Sequence, residues 1–372
     1  GYEVHLVSTY PCETELNVSS IHILPVAMSS VERKDVSTSS QTGMLRRWIP
    51  VRVRTIVRQW LGPLTLPGAA RRLREIIASL QPDLVHAMRI PYEGMLAALA
   101  LTDMRDTPLL LSVWGNDFTL HAGSTPWMSR YTRLALQRAD ALHADCARDI
   151  RLAQEWGFSG DKPTALLPGG GGIQLDLFYP LGKSSEALTE PVYVINPRGF
   201  RAYVRNDTFF KAIPLIQERD ARIHFICPSM ADEPQAWRWL EELGISSGVE
   251  LLPAQSRAAM ADLFRKAHIA VSPSEHDGTP NTLLEAMACG CFPIAGDIES
   301  LREWIVPGVN GTLVDPADPA GLAQAVLSAA SQPHLREAAR EYNTRLVAER
   351  AEYRRVMSRA EQYYQQLANA PG

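Results

Sequence analysis

Cysteine is scarce and scattered in this sequence. The 372 residues hold five, Cys12, Cys146, Cys227, Cys289 and Cys291, and no two form a C-x-x-C pair. That spacing suggests neither a disulfide framework nor a zinc site, and a reducing cytoplasm fits it. No run of 18 apolar residues occurs, so no membrane-spanning helix is expected. No G-x-x-x-x-G-K-[ST] is present, which excludes a P-loop. Asp-x-Asp, a pair that would hold a metal–diphosphate complex, is also missing, so metal independence is expected. The net charge of −4 implies no general attraction to nucleic acid. Acidic residues are absent between Val36 and Arg74, where eight arginines stand at 46, 47, 52, 54, 58, 71, 72 and 74, with Trp48 and Trp60 among them. Such a segment can lie on an anionic bilayer or form the solvated face of a helix, and both readings stay open.

What the sequence does hold is alternation. GYEVHLVS has the period-2 pattern of a strand. It is entered directly from Gly1, as the second strand of a doubly wound domain is entered from a helix-ending glycine, so a first strand and helix are expected to be missing. IHILPVA (21–27), DLVHAM (83–88), PLLLSVWG (108–115), ADALHAD (139–145) and TALLPGGGG (164–172) read as further strands, with helical patterns between them at 69–80, 91–102 and 127–139. The pattern restarts at PVYVINPRG (191–199). Strands at 221–229, 248–254, 268–275, 291–297 and 311–316 alternate with helices at 206–217, 233–244, 257–267, 281–289, 299–305 and 319–330, and a charged helical tail fills 334–368. Repeated β/α alternation predicts parallel sheets with helices on both faces. Ligands in such sheets sit beyond the carboxyl ends of strands, which singles out the loops at 86–91, 115–121, 169–173, 197–206, 253–257 and 274–281.

Those loops carry suitable chemistry. Loop 197–206 holds Arg198, Arg201 and Arg205. The run DGTPNTLLEAMACG (277–290) places Asp277, Gly278, Thr279 and Pro280 before a helix that Asn281 can cap. Free N–H groups and the positive dipole end make a helix start an anion site, and arginines opposite it suit a diphosphate. Glu285 lies in the apolar helix LLEAMA, where an unpaired charge is costly to bury. It stands roughly 6 Å along the helix from its start. A carboxylate there can accept both hydroxyls of a ribose, with Asp277 facing a sugar beyond the diphosphate. In WGND, Asn116 and Asp117 either face a cleft or cap the next turn. Gly169 to Gly172 read as a slack crossing between domains rather than a phosphate cradle.

SPSEHDGTPNTLLEAMACG, followed by NGTLVDPAD, resembles the carboxyl-terminal signature of glycosyltransferase family 4, retaining enzymes of the GT-B fold. The family pattern of Glu, seven residues, Glu reads here as Asp277, seven residues, Glu285, one methylene shorter at the first position. The family holds the diphosphate with an Arg and a Lys after the first carboxyl-domain strand. Arg198 matches the Arg, and Arg205 stands for the Lys with two extra residues between them. DLVHAM is similar to a strand that usually ends His-x-His; His86 fits the first His, and Met88 occupies the second, which in the family generally lies near the donor sugar. The likeness is strong over 266–318 and looser before 190, and the family's glycine-rich first loop has no counterpart.

The resemblance implies an α/β GT-B protein of two Rossmann-like domains facing a cleft. An acceptor-side domain over 1–180, truncated at its start, precedes a nucleotide-sugar domain over 181–345, and a helix over 346–372 packs back on the first domain. It implies a hexosyltransferase acting in polysaccharide biosynthesis, with a nucleotide diphosphate sugar as donor, a glycan or glycolipid as acceptor, and no cofactor, metal or nucleic acid. Asp277, Arg198, Arg205 and His86 would be catalytic, and Glu285, Gly278, Thr279, Pro280 and Asn281 would bind the donor. The expected location is cytoplasmic, with contact at the inner face of the membrane through 44–74. A nucleotide-sugar epimerase of the same fold, an inactive sugar-nucleotide sensor and a two-lobed solute-binding protein are the alternatives. The long helical tail argues against the last of these.

Overall fold

The computed structural model describes residues 2–26, 51–181, 191–201 and 203–369. It divides into two compact units. Gly1–Ala144, Asp149–Ala165 and Gln362–Gly372 form the first, and Asp145–Arg148 with Leu166–Glu361 the second.

In the first unit β1 (His5–Ser8) and β2 (Ser20–Ile23) pair in parallel. A second sheet has the order β3 (Val85–Ala87), β4 (Leu109–Val113), β5 (Ala141–Ala144), β6 (Thr164–Leu166). Every residue of β4 is buried, as suits a strand covered on both faces. The helices are α1 (Val51–Leu61), α2 (Leu66–Leu80), α3 (Met95–Ala100), α4 (Pro126–Arg138) and α5 (Ala147–Glu155). Helix α2 buries Leu66, Ala69, Ala70, Leu73 and Ile77, the stripe that a 3.6-residue repeat makes. It ends at Gln81, in the left-handed region (φ 47°), just before Pro82. Helix α4 starts on Thr125, whose hydroxyl accepts the Met128 N–H, with Pro126 in its first turn. From Gln362 onward the end of the last helix belongs to this unit, where Tyr363 and Leu367 pack with Leu110 and Ala141.

The second unit is one parallel sheet of β7 (Val192–Ile195), β8 (Ile223–Cys227), β9 (Val249–Leu251), β10 (Ile269–Ser272), β11 (Phe292–Gly296) and β12 (Thr312–Val314), in the order β12-β11-β10-β7-β8-β9. Its strands bury both faces by strict alternation. Val194, Phe225, Val271 and Ile294 enter one core, and Ile195, Ile226, Ala270 and Ala295 the other. α6 (Asn206–Gln217), α7 (Pro234–Glu242) and α10 (Pro319–Ala330) supply the first core. α8 (Arg257–Lys266) and α9 (Asn281–Ala288) supply the second.

Two expected helices differ. Residues 299–305 reduce to a short 3-10 turn, Leu301–Glu303. The charged tail is two helices, α11 (Pro333–Ala351) and α12 (Tyr353–Ala368), broken at Glu352. The break has a visible cause. Ile173 N–H donates to Ala351 O at 2.7 Å and Tyr353 N–H donates to Ile173 O at 2.9 Å, so the chain turns extended there. The Glu352 carboxylate then accepts the N–H groups of Arg354 and Arg355 and starts the new helix. Among the described residues no helix is long and apolar enough to cross a membrane.

Candidate functional site

The order of the six-stranded sheet locates its ligand end. β7 and β10 are neighbours, yet the chain runs outward from β7 through β8 and β9 and outward from β10 through β11 and β12. The strand order therefore reverses between β7 and β10. A crevice opens beyond the carboxyl ends of strands at such a switch point. The chain leaving β7 carries Asn196 and Arg198, and the chain leaving β10 carries Asp277 and the start of α9.

These two loops meet. Arg198 Nη2 donates to Asp277 Oδ2 at 2.6 Å, and Arg198 Nη1 lies 3.3 Å from the hydroxyl of Thr282 in the first turn of α9. Their side chains are 11% and 13% exposed, so the ion pair is nearly out of water. Arg198 Nε is buried and has no acceptor among the described residues. Burial pushes the Asp277 carboxyl above its ordinary range, while Arg198 and the Ser274 hydroxyl pull it back.

Helix α9 starts without a side-chain cap. Its N-cap is Pro280 (φ −66°, ψ 129°), with Asn281 the first helical residue. The expectation that Asn281 caps the helix is therefore corrected. Its backbone is already helical, and a cap needs the residue before. The Asn281 and Thr282 N–H groups have no acceptor among the described residues, as the first turn of an uncapped helix leaves them. The glycine run lies against this end. A Cβ on Gly170 would stand 3.2 Å from Asn281 Nδ2, and one on Gly172 would stand 2.7 Å from Tyr353 Cα. Gly170, Gly171 and Gly172 have φ of 54°, 110° and 96°. The run is thus a tightly packed turn over the start of α9, not a slack crossing, because only glycine fits its backbone and its space.

Glu285 projects from the second turn of α9. Its side chain is 11% exposed, and no described residue donates a hydrogen bond to its carboxylate. The nearest cation is Arg257 of α8, with Nη2 at 3.7 Å. Burial raises the Glu285 carboxyl above its ordinary range, opposed by Arg257. The sequence marked loop 253–257 for attention without selecting Arg257. Only the packing of α8 beside α9 brings the two together.

Several other candidates have different duties. Arg205 is held by Asp207 through Nε and Nη2, at 2.8 and 2.9 Å, and by Glu275 through Nη1 at 2.9 Å. Those bonds raise its pKa further and occupy three of its donors. The Thr279 hydroxyl donates to Asp145 O and accepts from Trp304 Nε1, which leaves only its main chain for a ligand. Gly278 presses on Asp145, and a Cβ there would overlap that carboxylate.

His86, Asn116 and Asp117 belong to the first unit. His86 Nδ1 lies 2.6 Å from the Tyr364 hydroxyl, and Nε2 lies 2.7 Å from Ser112 Oγ, itself 2.7 Å from His143 Nδ1. Both ring nitrogens are occupied by the protein. The catalytic reading of His86 gives way to that of a satisfied core histidine. Asp117 is buried and accepts from Arg89 Nη2, the Ile90 N–H and the Trp114 N–H. It therefore fastens its own turn rather than facing a ligand. Asn116 is half-buried beside it and accepts from Arg89 at 3.3 Å.

Burial, with His143 second, pushes the His86 pKa down to about 3. An unfolded histidine titrates near its ordinary value, so between about 6.5 and 3 the unfolded chain binds the extra proton. Stability from this group is complete above about pH 6.5 and is lost as pH falls toward 3. His86→Gln is expected to flatten the decline of Tm between pH 7 and pH 4.5, as read by circular dichroism. An unchanged slope would remove His86 from the acid response.

Comparison with known proteins fits this geometry. Residues 199–332 match the family model described as glycosyl transferases group 1, and residues 1–170 match a glycosyl transferase 4-like domain. A D-inositol 3-phosphate glycosyltransferase of Geodermatophilus obscurus is 29% identical over 205 residues, which cover 50% of this chain and 45% of that protein. One from Mycolicibacterium smegmatis is 37% identical over 81 residues, covering 22% of this chain and 19% of its own. The chain thus spans about half, or less, of the length of these curated relatives. Among solved structures, sucrose-phosphate synthase from Thermosynechococcus elongatus is similar over 99% of this chain and 89% of its own, with TM-score 0.72 and 16% identity. Anabaena HepE in complex with UDP-glucose is similar over 80% of this chain and 82% of its own, with TM-score 0.66 and 14% identity. These are GT-B proteins, which gives the fold. The two family models leave unmatched only 171–198 and 333–372: the first half of the chain carries a glycosyl transferase 4-like domain and the second a glycosyl transferases group 1 domain.

Proposed function

We propose that this chain moves a sugar from a nucleotide diphosphate sugar to a glycan or lipid-linked acceptor, with retention at the anomeric carbon. Glu285 carries the reading. It is a nearly buried carboxylate beside the switch point to which no described residue donates a hydrogen bond. Such a group is costly unless something donates to it. The two ribose hydroxyls of a nucleotide are donors of the right kind.

The diphosphate then meets the Asn281 and Thr282 amides and Arg198, with the sugar toward Asp277. The bond from the anomeric carbon to the β-phosphate oxygen breaks, and its electron pair stays on that oxygen. The acceptor hydroxyl attacks from the same face, and its proton passes to the departing phosphate. Arg198 and the helix amides stabilise the charge as it develops. No step calls for a cofactor. UDP-glucose, the ligand of Anabaena HepE, is the first donor to try.

The test has two stages. A nucleotide present at 100-fold its Kd adds about 2.7 kcal/mol of stability, so UDP, GDP and ADP are compared by thermal shift. The chain is then incubated with the matching nucleotide sugars and candidate acceptors. Release of nucleotide diphosphate that depends on acceptor supports transfer. Epimerised donor without release supports the epimerase alternative. No shift with any nucleotide would overturn the reading.

Contact with a membrane is part of the proposal. On α1 and just after it, Ile56, Val57, Trp60, Leu61 and Leu64 are each more than two-fifths exposed, and their spacing puts them on one side. Arg71 and Arg72 are exposed on α2. Arg46 and Arg47 lie outside the described residues, as do the side chains of Arg52 and Arg54. Arg74 is held by Asp103 and the Leu99 and Ala100 carbonyls. An apolar face flanked by arginines suits the surface of an anionic bilayer. Trp60→Gln with Leu64→Gln is expected to abolish flotation with phosphatidylglycerol vesicles at low salt. Equal flotation of variant and parent, or none of the parent, would remove the membrane contact.

A further inference from the structure

The first unit contains a small pocket of about 80 Å³ whose walls include Arg58, Gln59, Arg89, Tyr92 and His121 and no carboxylate. We infer that this pocket binds a phosphoryl group, carried by the acceptor on which the proposed transfer acts. The link to the acceptor rests on the transferase reading; the binding of the anion does not.

Arg58 comes from the segment rich in arginine, yet it turns inward. Its guanidinium stands 4.6 Å from the centre of the Tyr92 ring and 5.3 Å from that of Tyr10. Two rings around one guanidinium fix its plane and leave its edge for an anion. It makes no ion pair with a described residue, and its buried Nε has no hydrogen-bond partner. Arg89 is the second cation. Its Nη2 serves Asp117 at 2.7 Å and Asn116 at 3.3 Å, while its buried Nε has no partner. Asp117 shares its charge among three donors, so it occupies only one edge of Arg89.

The other walls agree. His121 Nδ1 lies 3.1 Å from Gln59 Nε2. Tyr92 has φ 68° and ψ −59°, a left-handed backbone that a side chain of its size rarely adopts. Its hydroxyl donates to Arg58 O at 2.8 Å, so the strained residue is the one that holds Arg58 in place. Strain kept in this way concentrates at binding sites. Glu93 is the nearby acid outside the walls. Thr9 donates to its Oε1, and burial raises its carboxyl above the ordinary range, opposed by Arg89 and Arg58. Guanidinium edges around one small pocket match the oxygens of a phosphomonoester or phosphodiester.

The full chain is titrated by calorimetry with inorganic phosphate, glycerol 3-phosphate and, as the uncharged control, glycerol. Flotation with phosphatidylglycerol and phosphatidylcholine vesicles runs beside it. Glycerol 3-phosphate is expected to bind and glycerol not to bind. Arg58→Gln should weaken binding at least 10-fold and Arg58→Lys by less, with UDP, GDP or ADP binding unchanged in both. Arg58-dependent binding of the soluble ester identifies a free phosphorylated acceptor. Arg58-dependent flotation on phosphatidylglycerol without binding of the ester identifies a lipid headgroup. Either outcome supports the inference. If Arg58→Gln loses its cooperative melt, His121→Phe is judged by the same criterion. A folded parent that binds no phosphate compound and floats on neither vesicle, or variants that bind as the parent does, would overturn the inference. That result leaves the transferase reading standing. Intact anion binding without transfer would count against the transferase instead.

Discussion

Arg198→Ala is expected to lower kcat by about 100- to 1,000-fold, the usual loss when one preorganised donor to developing charge is removed. The same change also removes the partner of a nearly buried Asp277. Breaking such a pair from one side costs about 3–5 kcal/mol. A single variant therefore mixes lost catalysis with lost stability. Arg198→Ala combined with Asp277→Asn separates them, because it leaves no orphaned charge. The double variant should recover most of the Tm lost by Arg198→Ala, and its kcat should lie well below that of Asp277→Asn alone, which carries the loss due to Asp277 itself. Recovery of both by the double variant would mean that Arg198 only neutralises Asp277. If KM rises and kcat does not change, Arg198 binds the ground state without acting on the transition state.

Glu285→Gln is expected to weaken nucleotide binding by about 10- to 150-fold, the loss of one charge-assisted hydrogen bond of about 1.5–3 kcal/mol. The fold should not suffer. The wild-type carboxylate has no hydrogen bond from a described residue to lose, and Arg257 at 3.7 Å is more than half exposed. Its Tm without ligand should equal or exceed that of the parent, since an amide is cheaper to bury than a carboxylate. Calorimetry with the preferred nucleotide checks the first statement and a melt checks the second. Unchanged affinity would place the ribose elsewhere.

Asp277 and Glu285 could be picked out as candidates because the signal that marks them is local. A carboxylate before a helix and another inside its apolar run are both visible in one line of sequence. Helices 206–217 and 319–330 were equally plain, since periodicity and Pro or Asn at the start define them. The misreadings depend on distant partners. His86 looks the same in sequence whether or not Tyr364, 278 positions later, takes its Nδ1. Asp117 could face a cleft or fasten its turn on the sequence alone, and only the contacts from Arg89 and two amides show the second. Arg205 could have been read better, because Asp207 stands two residues away and spends its charge. The break at Glu352 had no local signal; it exists because Ile173 pairs with the chain on either side of it.

The Arg198–Asp277 pair also bears on how fast a donor arrives. Arg198 is matched by Asp277, and Arg205 by Asp207 and Glu275, so the loops at the switch point carry no surplus positive charge before a ligand binds. The chain as a whole has a net charge of −4. An anionic diphosphate approaching from solution meets no attractive field at long range, and its encounter rate gains nothing from electrostatic steering. Ionic strength, which governs steered association, then has little hold on the rate of capture. On the proposed reading, selectivity for the donor is exercised after contact, when the diphosphate displaces a carboxylate from Arg198, and it is expressed in how long each nucleotide stays rather than in how often it arrives.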